Sequence, residues 1–211
     1  MKRIVFLLIS ILVLPIILVG SAKAEIIYAT EVLQIARGGA VVDGFPGYYG
    51  GSYPGGSFPV TLDEATAKSY VLGAPNTNFL SLPGDGMPPA GAGFPWAFVK
   101  VGFSTTFAAD QLIITEVADN DESAYIWLWR VGGGNVQFVI PPRGASDNIV
   151  VDLSPYAAFG PFEAVTVGGL DLLGDSKGFD LDAVGVRVPE PGTMLLLGAA
   201  LLGILGMRRK L

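Results

Sequence analysis

The chain predicts an all-β domain, a sandwich or barrel of short strands, set between two apolar ends. Three observations carry this reading. The 211 residues include 29 Gly and 15 Pro, and the apolar residues between them are rich in Val, Ile, Phe, Tyr and Trp, which suit a pleated, half-buried surface. Sustained amphipathic runs of helix formers are missing between the two ends, where the one brief helical candidate is Leu62 to Tyr70. Turn residues recur at close intervals, as they do in sandwiches and barrels.

In chain order, Lys2 and Arg3 precede an apolar run from Ile4 to about Val19, followed by small residues at Ala22-Lys23-Ala24. This is the layout of a signal helix for export, with signal peptidase cutting between Ala24 and Glu25. Pro15 inside the run argues against a permanent anchor. The division that follows is a signal peptide at 1–24, an extracellular domain at 25–188 and a tail at 189–211.

Within the domain, Thr30 to Ala36 reads as a first strand. Residues 43–59 hold six Gly, three Pro and five aromatics, so no regular element is expected across them. Val71 to Asn76 and Asn78 to Gly86 follow, then a second Gly/Pro-rich stretch at 83–95. Strands are expected at Trp96 to Phe103, Gln111 to Val117, Ser123 to Val131, Asn135 to Ile140, Asn148 to Leu153, Glu163 to Val167 and Phe179 to Val188. Turns such as Gly132-Gly133-Gly134 and Pro141-Pro142-Arg143-Gly144 separate them. No fixed-period repeat is evident, which argues against a propeller or solenoid.

The tail reads Val188-Pro189-Glu190-Pro191-Gly192-Thr193, an uncharged run from Met194 to Met207, then Arg208-Arg209-Lys210-Leu211. As a helix the 14-residue run spans about 21 Å at 1.5 Å per residue, short of the roughly 30 Å hydrocarbon core. Basic residues after it follow the positive-inside arrangement, and its shortness suits a transient, processed hold on the membrane. The prolines flanking Glu190 keep that peptide extended and accessible.

Pro189, Glu190 and Pro191, followed by a Leu/Gly/Ala-rich apolar helix and a basic cluster, resemble the PEP-CTERM sorting signal of Gram-negative bacteria. The resemblance implies recognition and cleavage by a membrane-embedded exosortase, with the protein bound for cell surface, biofilm or exopolysaccharide matrix. A second, looser resemblance spans residues 60–188. Val71-Leu72-Gly73-Ala74-Pro75, Leu80-Ser81-Leu82-Pro83-Gly84-Asp85-Gly86, Glu116, the segment from Glu122 through Leu128, and Gly178-Phe179-Asp180-Leu181-Asp182-Ala183-Val184 are similar to a galactose-binding-like jelly roll. It implies a jelly-roll-like β-sandwich flanked by the signal helix and the C-terminal hydrophobic helix. Sugar binding does not transfer with the fold.

Between Glu25 and Val188 stand 18 acidic and 7 basic residues, a net charge of −11. Such a surface repels phosphate backbones, so nucleic acid is not an expected partner. Cysteine is absent, which excludes a disulfide framework without arguing against export. Histidine is absent too, which removes His-based catalytic systems and imidazole metal ligands.

Tyr125, Trp127 and Trp129 alternate with Ala124, Ile126 and Leu128, so one strand carries an aromatic face and an aliphatic face. Either the rings fill the core, as aromatic burial favours, or they form a flat platform for stacking on sugars. Asp119, Asp121 and Glu122 crowd one turn, and Asp171, Asp175, Asp180 and Asp182 gather near the last strand, Asp180 and Asp182 on one face. Calcium prefers such oxygens, but no EF-hand-like spacing is present. Asx turns and solvated edge charges are the favoured account, and no metal or cofactor is assigned. Carboxylate pairs such as Glu116 with Glu122 or Glu163 are the remaining route to glycosidase chemistry. An enzyme is not expected, because nothing in the sequence brings two of them to one cleft. The expectation is an exported structural or adhesive protein, sorted through its tail. The alternative is a carbohydrate-binding module using exposed aromatics, with exopolysaccharide as its partner.

Overall fold

The computed structural model describes residues 24–38, 47–54, 60–84, 96–108, 110–117, 122–142, 148–173 and 177–188. The predicted signal helix and the C-terminal hydrophobic helix at 194–207 lie outside them. Among the described residues no helix is long and apolar enough to cross a membrane.

Among the described residues twelve strands form two sheets facing one another. One contains β1 (Glu25–Tyr28), β3 (Tyr48–Ser52), β4 (Val60–Leu62), β5 (Asn78–Leu82), β7 (Gln111–Glu116), β10 (Asn148–Asp152) and β12 (Phe179–Val188), in the order β10-β7-β12-β5-β3-β4 with β1 also paired to β12. The other runs β2 (Glu31–Gly38), β6 (Trp96–Phe107), β11 (Phe162–Gly169), β8 (Ala124–Arg130) and β9 (Asn135–Ile140). The pairings are nested: β5 with β12, β6 with β11, β7 with β10 and β8 with β9, all antiparallel. This is one long antiparallel ribbon rolled into two layers, closed by β7 against β12 and β11 against β8.

The ribbon's innermost turn runs from Val131 to Gly134. Gly132, Gly133 and Gly134 adopt φ of 86°, 107° and 81°, a left-handed region that side chains resist. Arg130 N–H donates to the Gly134 carbonyl at 3.0 Å, which closes the β8–β9 hairpin.

The core lies between the layers. Leu112, Ile114, Leu181, Val184 and Val186 of the first sheet join Val99, Val101, Ile126, Leu128, Val165 and Val167 of the second, all buried. Along β12 the inward residues change from Phe179 and Leu181 to Val184 and Val186, a change of parity. A register shift between Leu181 and Ala183 produces it, as a β-bulge does.

The helix α1 (Glu64–Tyr70) begins at Asp63, whose Oδ1 accepts from Thr66 N–H at 2.7 Å. That N-cap satisfies a free helix donor and holds the Asp63 carboxyl below its usual range. Lys68 pairs with Glu64 one turn back. A 3-10 helix at Ser154–Phe159 joins β10 to β11.

Most expected strands are present, and two expectations need correction, at the first strand and at the segment 43–59. The first strand, expected from Thr30 to Ala36, is preceded by β1. The stretch Val71 to Asn76 forms turns, with Gly73 N–H donating to the Ala29 carbonyl at 3.0 Å. The Gly-rich segment at 43–59 contains β3, where no regular element is expected. Its glycines serve close approach: a Cβ on Gly50 would lie 2.0 Å from the Phe79 carbonyl oxygen of β5.

Candidate functional site

Acidic side chains from three separate segments meet at one end of β7. Glu116 ends that strand, Glu122 leads into β8, and Asp180 sits at the start of β12 beside Ser81 of β5. Val117 N–H donates to the Asp180 carbonyl at 2.9 Å, which ties the end of β7 to β12. Asp180 N–H donates to Glu122 Oε2 at 3.3 Å, and Ser81 Oγ–H to Asp180 Oδ1 at 2.6 Å. Glu116 is 5% exposed and Glu122 1%. Their carboxyls are in hydrogen-bonding contact, yet Oε1 of each is buried with no hydrogen-bond partner.

Burial pushes the Glu116 carboxyl up to about 8; the charges of Asp180 and Asp171 act the same way, while the contact with Glu122 opposes them. Burial pushes Glu122 up to about 10, reinforced by Asp180, Glu116 and Asp171. No Lys or Arg among the described residues offsets these charges at either carboxyl. Tyr49 of β3 borders the cluster, and its hydroxyl donates to the Lys177 carbonyl at 2.8 Å. Its phenol is raised by burial first and then by Asp180 and Glu122.

The geometry sorts the acids by role. Asp182 accepts from the backbone N–H groups of Asn76 at 3.0 Å and Thr77 at 2.9 Å. It fixes a turn in which Thr77 is held at φ 72°. Burial raises its carboxyl, and those two donors oppose the shift. Asp171 accepts from Ser123 N–H at 2.9 Å and Leu173 N–H at 3.2 Å. Asp180 and Asp182 are therefore buried groups with separate partners, where solvated edge charges are expected from the sequence. Asp119, Asp121 and Asp175 lie outside the described residues.

Glu116 and Glu122 do come together, but in direct contact, whereas glycosidase carboxyls stand about 5 Å or more apart across an accessible cleft. Glu163 is exposed on β11 and takes no part. Among the described residues no three acidic side chains form a ready-made metal-ligand set. The cluster is a closely held carboxyl pair flanked by two further acids. Sequence alternation carried a signal for it: Glu116 continues the inward positions of Leu112 and Ile114. Tyr49 and Ser81 gave no comparable signal, since long-range pairing alone brings them there.

The aromatic face of β8 differs from both arrangements considered for it. Ala124, Ile126 and Leu128 face the main core, so Tyr125, Trp127 and Trp129 lie on the opposite face of the sheet. They form no flat platform there. Adjacent rings meet edge to face, at 71° for Tyr125 with Trp127 and 61° for Trp127 with Trp129. Trp127 is 3% exposed and packs with Leu170 in a small second core. Trp129 Nε1–H donates to Thr166 Oγ1 at 2.7 Å, Tyr125 O–H to Gln137 Oε1 at 2.8 Å, and Lys100 Nζ lies 3.9 Å from the centroid of a Trp129 ring.

At the domain's borders, Ala24 and Glu25 are both exposed, and Glu25 opens β1. At the other end β12 stops at Val188, and Pro189, Glu190 and Pro191 lie outside the described residues. Residues 187–210 match the family model of the PEP-CTERM protein-sorting motif. The chain carries a PEP-CTERM tail. That motif marks a protein sorted by exosortase to the cell surface, through export and membrane-anchored processing in Gram-negative bacteria. The PEP-CTERM match begins at Arg187, within β12, where Arg187 Nη1–H donates to Gln111 Oε1 at 2.6 Å. No curated protein matches the chain.

Proposed function

We propose that this protein is a non-catalytic, structural or adhesive component of the cell surface or its exopolysaccharide matrix, exported, held briefly by its tail and released by exosortase. The observation that carries this reading is the match of residues 187–210 to the PEP-CTERM sorting motif, directly continuous with the last strand of the sandwich. The nested strand pairing supports a jelly roll, and the resemblance of residues 60–188 to galactose-binding-like domains is compatible with it. Fold alone assigns no sugar. The alternative of a carbohydrate-binding module gains nothing from Trp127, whose ring is covered.

Mass spectrometry of the protein recovered from its host tests the reading. The expected product begins at Glu25 and lacks the apolar and basic tail. Recovery from the cytoplasm with Met1 and Leu211 both present overturns it.

A further inference from the structure

We infer that the end of the sandwich from which the tail departs rests on a lipid bilayer, with Val131 and Phe159 set into its interface, an inference that rests on the proposed hold of the tail on the membrane. Backbone hydrogen bonds define that end. The Arg187 carbonyl of β12 accepts from Asp110 N–H at 3.1 Å, and the Asp110 carbonyl accepts from Leu153 N–H at 2.8 Å. Leu153 leads straight into the 3-10 helix Ser154–Phe159. Arg130 Nε–H donates to the Phe159 carbonyl at 2.9 Å, and Val131 N–H to the Pro161 carbonyl at 3.1 Å. The exit of β12, the 3-10 helix and the β8–β9 turn are therefore neighbours.

In a strongly acidic domain, these neighbours are apolar and exposed. Val131 and Phe159 are each 46% exposed. The 3-10 helix, Ser-Pro-Tyr-Ala-Ala-Phe, carries no charge, none of its residues is buried, and Pro155, Ala157 and Ala158 stand exposed beside Phe159. The turn from Val131 to Gly134 is likewise uncharged and exposed throughout. Adjoining apolar side chains in water mark a surface that something else covers. Chain length selects the bilayer. Only Pro189 to Thr193 separate β12 from the apolar run, and five residues at about 3.3–3.6 Å each reach no more than about 18 Å. A tail held in the membrane thus keeps this end of the domain within reach of the headgroups. Two apolar side chains alone hold a bilayer weakly, since even a single fatty acyl chain gives marginal attachment. Linkage through the tail makes the contact intramolecular, and the resulting effective concentration allows so weak a contact to form. Asp110 and Asp152 also stand exposed at this end, so apolar insertion, not charge, carries the contact. Cleavage of the tail ends the linkage and the contact lapses: the patch orients the domain without anchoring it.

The test uses the full chain reconstituted into phosphatidylethanolamine–phosphatidylglycerol vesicles. The protein has no Cys, so the single variants Val131→Cys, Phe159→Cys, Leu172→Cys and Ala200→Cys each carry one nitrobenzoxadiazole probe. Leu172 is similarly exposed but lies at the opposite end, beside Asp171, which accepts from Ser123 N–H ahead of β8. Position 200 reports insertion of the apolar run. Probes at 131 and 159 are expected to be quenched several-fold more strongly than at 172 by lipids spin-labelled near the headgroup, as an insertion depth of about 5–10 Å requires. High salt should leave that quenching in place. Phe159→Asp should bring the probe at 131 down to the level seen at 172. Equal quenching at 131, 159 and 172, with 200 quenched, overturns the inference and leaves the reading of the tail standing. A probe at 159 shielded from water yet untouched by lipid quenchers overturns it too, because protein then covers the patch. An unquenched probe at 200 removes the reading of the tail and the inference together.

Discussion

The aromatic cluster on β8 and the carboxyl cluster at the end of β7 are both buried, but they differ in the charge they carry. Around Tyr125 and Trp129, polar atoms meet polar atoms: Thr166 takes the indole N–H, Gln137 the phenol, and Lys100 stands over a ring. Around Glu116 and Glu122, two oxygens have no hydrogen-bond partner and charges of one sign accumulate. Where a buried polar atom closes its hydrogen bond, as at Tyr125 and Trp129, stability accounts for it. Buried carboxyls with charges of one sign around them are pushed towards their protonated form.

The sharpest way to break this contrast is to remove Trp127. Truncation to Ala should cost about 3–5 kcal/mol, as for large buried aromatics, measured by urea denaturation. A loss below about 1 kcal/mol would mean the rings are a ligand surface and not a second core. Gly50→Ala comes next. Its Cβ would meet backbone at 2.0 Å, and overpacking of this kind costs about 1–3 kcal/mol. An unchanged denaturation midpoint would remove β3 from the sheet.

The carboxyl cluster predicts a pH dependence of unusual sign. Glu116 and Glu122 are raised in the folded state to about 8 and about 10, from an ordinary 4.5. The folded chain therefore holds more protons than the unfolded chain between those limits, and stability falls as pH rises through that window. The melting temperature should drop from pH 5 to pH 8, and Glu122→Gln should flatten the slope. A rise over the same range would show that the pair is not buried as described. The smallest expected effect is Thr166→Val, which removes the acceptor of the Trp129 indole. It should cost about 1 kcal/mol and shift the tryptophan emission.

Much of the sandwich was readable from the chain alone, because period-two patterning and turn residues report local geometry directly. Asn135–Ile140 and Phe179–Val188 occupy the bounds expected for them. The misses have a common cause in long-range pairing. Gly50 looks like loop punctuation, yet it is narrow so that β3 can lie against β5. Asp180 and Asp182 look like charges on one solvated edge, but β5 and the Asn76–Thr77 turn cover them and give each its own donors. For β8, alternation correctly separated two faces, and only the packing of Leu170 and the neighbouring strands reveals that the outer face is closed as well. The proximity of Glu122 to Asp180, 58 positions later, has no local signature at all.

β12 has a mechanical consequence. It lies inside its sheet, between β7 and β5, and the chain leaves it at Val188 directly into Pro189. Tension applied through the following residues would enter the domain along this strand and load its ladders in shear, many bonds at once, in place of peeling an edge one bond at a time. A pulling measurement from residue 189 should accordingly give a higher rupture force than one from the outermost strand β10. A tether joined at this point grips the sheet from within.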